Sequence, residues 1–233
     1  FAAYSKFILH FADLVALKDS QAIVFGENEI RPLIQQGSFT VPSDIKKEWE
    51  ELLDSIRLHF TGDIILAFPY SAYLQELPDW IEKIDKVYIL FSPPLSATKA
   101  PTVEDLTSRI EQILDNEIYP IYASNLKPII LGVNYPSIDG SAMGCISFET
   151  SCDKYSSLEI NNSIEQIPPI DLKEQADIYS SIFRVINQRP WISGIVSRGY
   201  YSPLALHGYS GSIHGKPAER ILGFWFSKMM PVN

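Results

Sequence analysis

Five short runs rich in β-branched and aromatic residues punctuate the chain, at residues 22–26, 63–68, 86–91, 128–133 and 193–196. None alternates cleanly between apolar and polar, which is the pattern of parallel strands covered on both faces. Between them the apolar spacing turns helical. Ile45, Trp49, Leu52, Leu53, Ile56 and Phe60 fall on one face of a helix that Ser43 is placed to cap. Thr102-Val103-Glu104-Asp105 has the form of a capping box, and Leu106, Ile110, Ile113 and Leu114 follow at helical spacing. A further helix opens at Asp171-Leu172-Lys173-Glu174 and is expected to bury Tyr179, Ile182, Phe183 and Ile186. The first helix is read over residues 5–16, with Phe7, Ile8, Phe11, Leu14 and Val15 inward, and the last starts near Pro217, where proline suits the first turn.

The predicted order is therefore helix and strand in strict alternation, beginning and ending on a helix. That order implies a parallel sheet, either open and doubly wound or closed into a barrel. No Gly-x-Gly-x-x-Gly or Walker-type loop follows a strand, so a nucleotide-binding open sheet lacks support. Residues 137–169 form a long, Ser/Asn-rich, aperiodic stretch. In a barrel it would be a βα loop on the face that carries sites.

With 233 residues, 46% of them hydrophobic, the chain has enough apolar material for one domain. A net charge of −9 and the lack of a Lys/Arg cluster argue against a nucleic-acid partner. The apolar runs at 63–69 and 87–91 are far shorter than the roughly 20 residues of a spanning helix, so no membrane span is expected. The sequence opens Phe1-Ala2-Ala3-Tyr4, which suggests a cut, a processing site or a fragment boundary at its start. Cys145 and Cys152 lie in a polar loop without metal-ligand spacing; a loop disulfide and two free thiols are equally open readings, and neither fixes the compartment.

Several motifs then fall in one order. Gly26-Glu27-Asn28-Glu29 closes the first strand, and Trp49, Arg57 and Phe60-Thr61-Gly62 mark the helix leading to the second. Lys127-Pro128-Ile129-Ile130 opens the fourth strand, and Gln175-Ala176-Asp177-Ile178-Tyr179, Gly194 and Gly215-Lys216-Pro217-Ala218 follow. As a set they resemble clan A glycoside hydrolases, in particular the β-mannanases of glycoside hydrolase family 113. The resemblance covers almost all of this chain but only strands four to eight of a (β/α)₈ TIM barrel. It implies that strands one to three are missing, so that the chain is either part of a longer protein, whose N-terminal part is then the partner, or a half-barrel that needs a partner to close its sheet edges.

The resemblance also implies chemistry. Retaining enzymes of this clan hold two carboxyl groups about 5 Å apart, one donating a proton to the leaving oxygen and the other attacking the anomeric carbon. Glu29 takes the acid/base position, and Asn28 the position that binds the sugar 2-hydroxyl. The attacking position falls on Gly132 when Leu131-Gly132-Val133-Asn134-Tyr135 is aligned on its tyrosine. Glycine cannot act as a nucleophile. Ser92 or Pro93 likewise stands where the family ends strand six on an aromatic residue, and Arg198 or a neighbour where it places a strand-eight tryptophan. Glu27, Asp139 and Glu149 are possible replacement carboxylates, although their spacing favours none of them.

Tyr70, Tyr135, Trp191, Tyr200 and Tyr201 are expected at or after strand ends, where sugar rings stack on aromatic faces, with Arg198 beside them; for each one, packing in the core or a loop is the competing explanation. His10 and His59 read as helix-surface residues, and His207 and His214 belong to a Gly-rich loop after the last strand. The expected ligand is an oligo- or polysaccharide, with no cofactor and no metal. An extracellular or cell-surface setting is slightly favoured. The choices left open are a β-glycan hydrolase with a missing or displaced nucleophile, a sugar-binding or structural pseudoenzyme, and an open-sheet domain unrelated to carbohydrates. Strand order separates the last from the other two.

Overall fold

A computed structural model of the chain describes residues 1–26, 43–70, 77, 79–144, 146–148, 151–153, 168–202 and 208–229. Its principal elements are α1 (Ala2–Leu17), β1 (Ala22–Gly26), α2 (Ser43–His59), β2 (Asp63–Pro69), β3 (Lys86–Phe91), α3 (Val103–Ile113), α4 (Tyr119–Asn125) and β4 (Ile129–Val133). They continue through β5 (Ile146–Phe148), β6 (Ser151–Asp153), α5 (Leu172–Ile186), β7 (Ile192–Ser197) and α6 (Pro217–Met229). The main sheet has the order β1-β2-β3-β4-β7. Strands β1, β2 and β3 are parallel in register, Ala22 opposite Asp63 and Ile65 opposite Lys86. An open doubly wound sheet reverses its order at a switch point, whereas this order never reverses. The doubly wound alternative is thereby removed.

The chain divides into two compact units, Phe1–Leu90 with Asp115–Leu131, and Phe91–Leu114 with Gly132–Asn233. In the first, α2 supplies the centre of the core. Trp49 is buried and stacks on Trp80 at 5.1 Å and Phe25 at 6.0 Å between ring centroids. Leu52, Leu53 and Ile56 continue its buried stripe, as their spacing predicts. Arg57 ends that stripe with a lock: its guanidinium reaches Asp85 at 2.6 Å and donates to the Gly62 carbonyl at 2.8 Å. Burial works to raise Asp85, yet the Ile64 N–H and Arg57 outweigh it and hold the carboxyl below its usual range.

Helix α1 corrects one expectation. Ile8 is buried, but Phe7, Phe11 and Leu14 are exposed, and the fully buried neighbour is Ala12. Phe7 and Phe11 cover one another at 4.8 Å instead. Ile8 and Ala12 are one turn apart, so the core-facing stripe is rotated from the one that apolar content alone picks out. Val24 of β1, the strand that ends the sheet order, is also half exposed.

Two further departures concern connections. Where a helix is expected between β2 and β3, the described residues form one 3₁₀ turn, Asp79–Lys83. The segment read as aperiodic, 137–169, contains the antiparallel pair β5 and β6, with strands of three residues, too short for their periodicity to register. An isolated antiparallel bridge joins Ile138 to Ile170.

In the second unit α5 packs against α3 and α6, and Phe183 lies parallel to Trp225 at 5.9 Å. Both predicted helix starts form. Asp171 Oδ1 accepts the Glu174 N–H at 2.8 Å. Thr102 and Asp105 make a reciprocal capping box, the Thr102 hydroxyl oxygen accepting the Asp105 N–H while the Asp105 carboxylate accepts the Thr102 N–H. Thr102→Ala is expected to cost about 1 kcal/mol, read as a lower urea midpoint with unchanged slope.

Candidate functional site

Strands β4 and β7 deliver the sequence-predicted positions of the second unit. Gly132 is buried in β4 one residue before its end, and Asn134 follows on the same face of the strand. The Asn134 N–H donates to the Phe91 carbonyl at 3.4 Å, and the Arg198 N–H donates to the Val133 carbonyl at 2.9 Å. The carboxyl ends of β4 and β7 are thus tied side by side. The Asn134 carboxamide lies against the backbone of Gly211, where a Cβ would overlap its Oδ1. Gly132 itself brings no side chain to this strand end.

The loop after β7 is fastened here by a lysine. Lys216 is 1% exposed, and its ammonium donates to Ser137 Oγ at 2.9 Å and to the Gly208 and Ser210 carbonyls at 3.0 Å each. Ser137 Oγ in turn donates to the Gly208 carbonyl at 2.8 Å. All three partners of the ammonium are uncharged, and burial pushes Lys216 down to about 8.

Beyond the strand, Gly199 turns the backbone at φ +82°, and a Cβ there would meet the Tyr201 ring at 3.1 Å. Glycine suits both the positive φ and the close approach. Tyr200 follows, 60% exposed, with its hydroxyl donating to Glu219 Oε1 at 2.6 Å. Its ring stacks on His214 at 4.3 Å. The hydrogen bond to Glu219 lifts the Tyr200 phenol above its ordinary value, and the same bond, with the Gly215 N–H, lowers Glu219.

The expected aromatic residues differ in their local settings. Tyr135 is fully buried: its hydroxyl donates to the Pro93 carbonyl at 2.7 Å, and its own carbonyl accepts from Gln175 at 2.8 Å. Trp191 precedes Ile192 and stands at the amino end of β7, opposite Arg198 and Tyr200. A six-residue strand is roughly 20 Å long, so Trp191 does not share the strand exit expected for it. Tyr70, in the first unit, follows β2, and its hydroxyl donates to the Glu117 carboxylate. Tyr201 is half exposed beside Tyr200. Glu27, Asn28, Glu29, Cys145, Glu149 and His207 lie outside the described residues, and Cys152 is described only by its backbone in β6.

Lys216, Glu219 and Glu174 carry no site-forming signal of their own in the sequence. Buried in α5, Glu174 accepts the Gly140 N–H at 2.7 Å and the Ala142 N–H at 2.8 Å. Burial lifts its carboxyl above the ordinary range, against the pull of those two donors and together with Asp171 and Asp139. Carboxylate oxygens of Asp139, Asp171 and Glu174 lie within 4.8 Å of one another. Loop closure accounts for the group: Glu174 binds two backbone donors, Asp171 caps α5, and Asp139 pairs with Lys99 at 3.7 Å. The only advance signal for Lys216 is its place between Gly215 and Pro217.

No family model matches the chain, and no curated protein matches it in sequence. Solved structures do. The β-mannanase of glycoside hydrolase family 113 from Alicyclobacillus acidocaldarius, solved in complex with ManMIm, aligns with a TM-score of 0.66 at 17% identity over 99% of this chain and 62% of its own. A second structure of a family 113 β-1,4-mannanase aligns at 0.64 with 19% identity, over 97% of this chain and 62% of that one. The β-glucuronidase of Faecalibacterium prausnitzii aligns at 0.59 with 10% identity, over 98% of this chain and 36% of that one. The chain therefore spans less than two thirds of the length of the mannanases it matches. Among the described residues no helix is long and apolar enough to cross a membrane. The parallel sheet in chain order, the intervening helices and these likenesses together identify the fold as that of a partial TIM barrel.

Proposed function

We propose that the protein binds β-linked glycans of the mannan type on a glycoside hydrolase scaffold that lacks the attacking carboxylate of double displacement. The observation that carries this reading is Gly132, in β4 next to the strand end, at the position that aligns with the family's nucleophile. Attack on the anomeric carbon needs a lone pair on a side-chain oxygen, and glycine has none. Asp139, the one proposed substitute among the described residues, is paired with Lys99. Glu29 keeps the acid/base position and Asn28 the 2-hydroxyl position in this reading, and Arg198 and Tyr200 serve the sugar beyond β7.

Strands completing the barrel would come from an N-terminal portion of the same protein. The half-exposed Val24 on β1, the first strand in the sheet order, and the exposed Phe7, Phe11 and Leu14 of α1 support that part of the proposal, because buried parallel sheets cover such surfaces.

The test is made on the full-length protein with β-1,4-linked manno- and gluco-oligosaccharides, following both binding and new reducing ends. Manno-oligosaccharides are expected to bind without turnover, and Glu29→Gln is expected to bind as well as the parent. Rapid hydrolysis by the parent overturns the reading. If hydrolysis occurs at equal rates in parent and Glu29→Gln, the acid/base assignment falls too.

A further inference from the structure

We infer that Tyr200 is a preset stacking platform for one pyranose ring of the glycan, with Glu219 and His214 as the residues that position it. The inference rests on the glycan reading above and extends it to the loop after β7. An exposed tyrosine ordinarily samples several rotamers and must be ordered when a ligand binds it. Tyr200 is 60% exposed, yet it is fixed at both its tip and its face. At the tip, the hydroxyl donates to Glu219 Oε1 at 2.6 Å, while Oε2 of the same carboxylate accepts the Gly215 N–H at 2.7 Å. Neither carboxylate oxygen is left to swing away.

On one face, the His214 imidazole lies 4.3 Å from the Tyr200 ring with 27° between the planes. The imidazole is itself held, Nδ1 standing 2.7 Å from the Tyr201 carbonyl. A carbonyl oxygen only accepts, so Nδ1 carries the proton, and in the neutral ring Nε2 is an acceptor. The imidazole takes one face of a ring that is 60% exposed as a whole, and the sugar is assigned to the opposite face. That arrangement suits a sugar: the C–H face of a pyranose packs on the open aromatic face, and a neighbouring hydroxyl finds an acceptor at the imidazole edge. Tyr201, half exposed and packed against Gly199, extends the same surface.

The experiment is calorimetric titration of the full-length protein with mannotetraose, for the parent and for Tyr200→Ala, Tyr200→Phe, Glu219→Ala and Glu219→Gln. Tyr200→Ala is expected to weaken binding about tenfold, since the platform itself is removed. Glu219→Ala is expected to weaken it about fourfold, the ordering cost of one freed aromatic side chain. Glu219→Gln restores near-parental affinity, because its carboxamide oxygen keeps the Gly215 N–H while its NH2 donates to the Tyr200 hydroxyl oxygen, whereas a merely structural loss at the start of α6 would not separate the two Glu219 variants in affinity at equal thermal stability. Tyr200→Phe, which keeps the ring and its stack but loses the anchor, gives the same answer as Glu219→Ala without touching α6. If the parent binds and Tyr200→Ala binds equally well, the platform is refuted and the glycan reading stands. If the parent binds no β-linked oligosaccharide, the glycan reading falls and the platform falls with it.

Discussion

Replacing Lys216 by methionine is expected to lower the stability of the protein by about 2 kcal/mol at pH 7, and by more as the pH rises. Methionine fills a similar volume but donates nothing, so the Ser210 carbonyl loses the ammonium and Ser137 and Gly208 keep only each other. Part of that loss is offset, because methionine carries no buried charge. The pH dependence has a definite sign. Burial lowers Lys216 to about 8 from an ordinary 10.5, so below pH 8 both folded and unfolded chains hold the proton and the cost of the buried charge is fully present. Between pH 8 and 10.5 the unfolded chain binds more protons than the folded one, and this group's contribution therefore rises with pH, by about 1.4 kcal/mol per unit. Urea midpoints for the parent and Lys216→Met at pH 7.0, 8.0 and 9.5 decide the matter. The two curves should diverge above pH 8; parallel curves, or a methionine variant as stable as the parent, would contradict the role given to this lysine.

The second large effect tests the proposal that Gly132 stands where the family's nucleophile would be. With an activated aryl β-mannoside such as the 2,4-dinitrophenyl glycoside, the leaving phenolate departs without needing a proton, so the outcome does not depend on Glu29. Added azide can then attack the anomeric carbon from the side where a carboxylate would have stood. One C–N bond forms, the C–O bond to the phenol breaks with its electron pair, and the product is the α-configured mannosyl azide. Azide is expected to raise phenolate release by at least about 100-fold over the anion-free rate. An unchanged rate, or a product of retained configuration, would show that Gly132 is not the vacancy it is taken for.

How much of this was legible beforehand follows from what each signal measures. All five strands of the main sheet fall within a residue or two of their expected bounds, since fully buried parallel strands are written as short apolar runs. The starts of α3 and α5 were equally plain, because capping is a local hydrogen-bond pattern set by Thr102, Asp105 and Asp171. Chain-order pairing agrees with the barrel expectation and removes the doubly wound alternative.

Orientation was harder. In α1 the apolar residues outnumber those the core accepts, and a small Ala12, carrying almost no hydrophobic signal, marks the buried side better than Phe7 or Phe11. Trp191 belongs to the entrance of β7 on the expected strand bounds, 193–196, as well as on the observed ones, so its aromatic character alone is what groups it with the tyrosines at strand exits. Tyr135 was read for its ring, yet its burial and its bond to the Pro93 carbonyl make it part of the packing behind the strand ends. Lys216, Glu174 and Glu219 were invisible as site formers, because their partners are backbone groups or residues far off in sequence. No periodicity encodes those.

One measurement addresses the central claim directly: native mass spectrometry of the full-length protein with a 2-deoxy-2-fluoro-β-mannosyl fluoride, repeated on the same sample after denaturation. A scaffold that holds the sugar but lacks a nucleophile should carry the ligand mass under native conditions and release all of it on denaturation. A sugar adduct that survives denaturation would reveal an attacking carboxylate, and the absence of any native complex would remove the glycan from the account altogether.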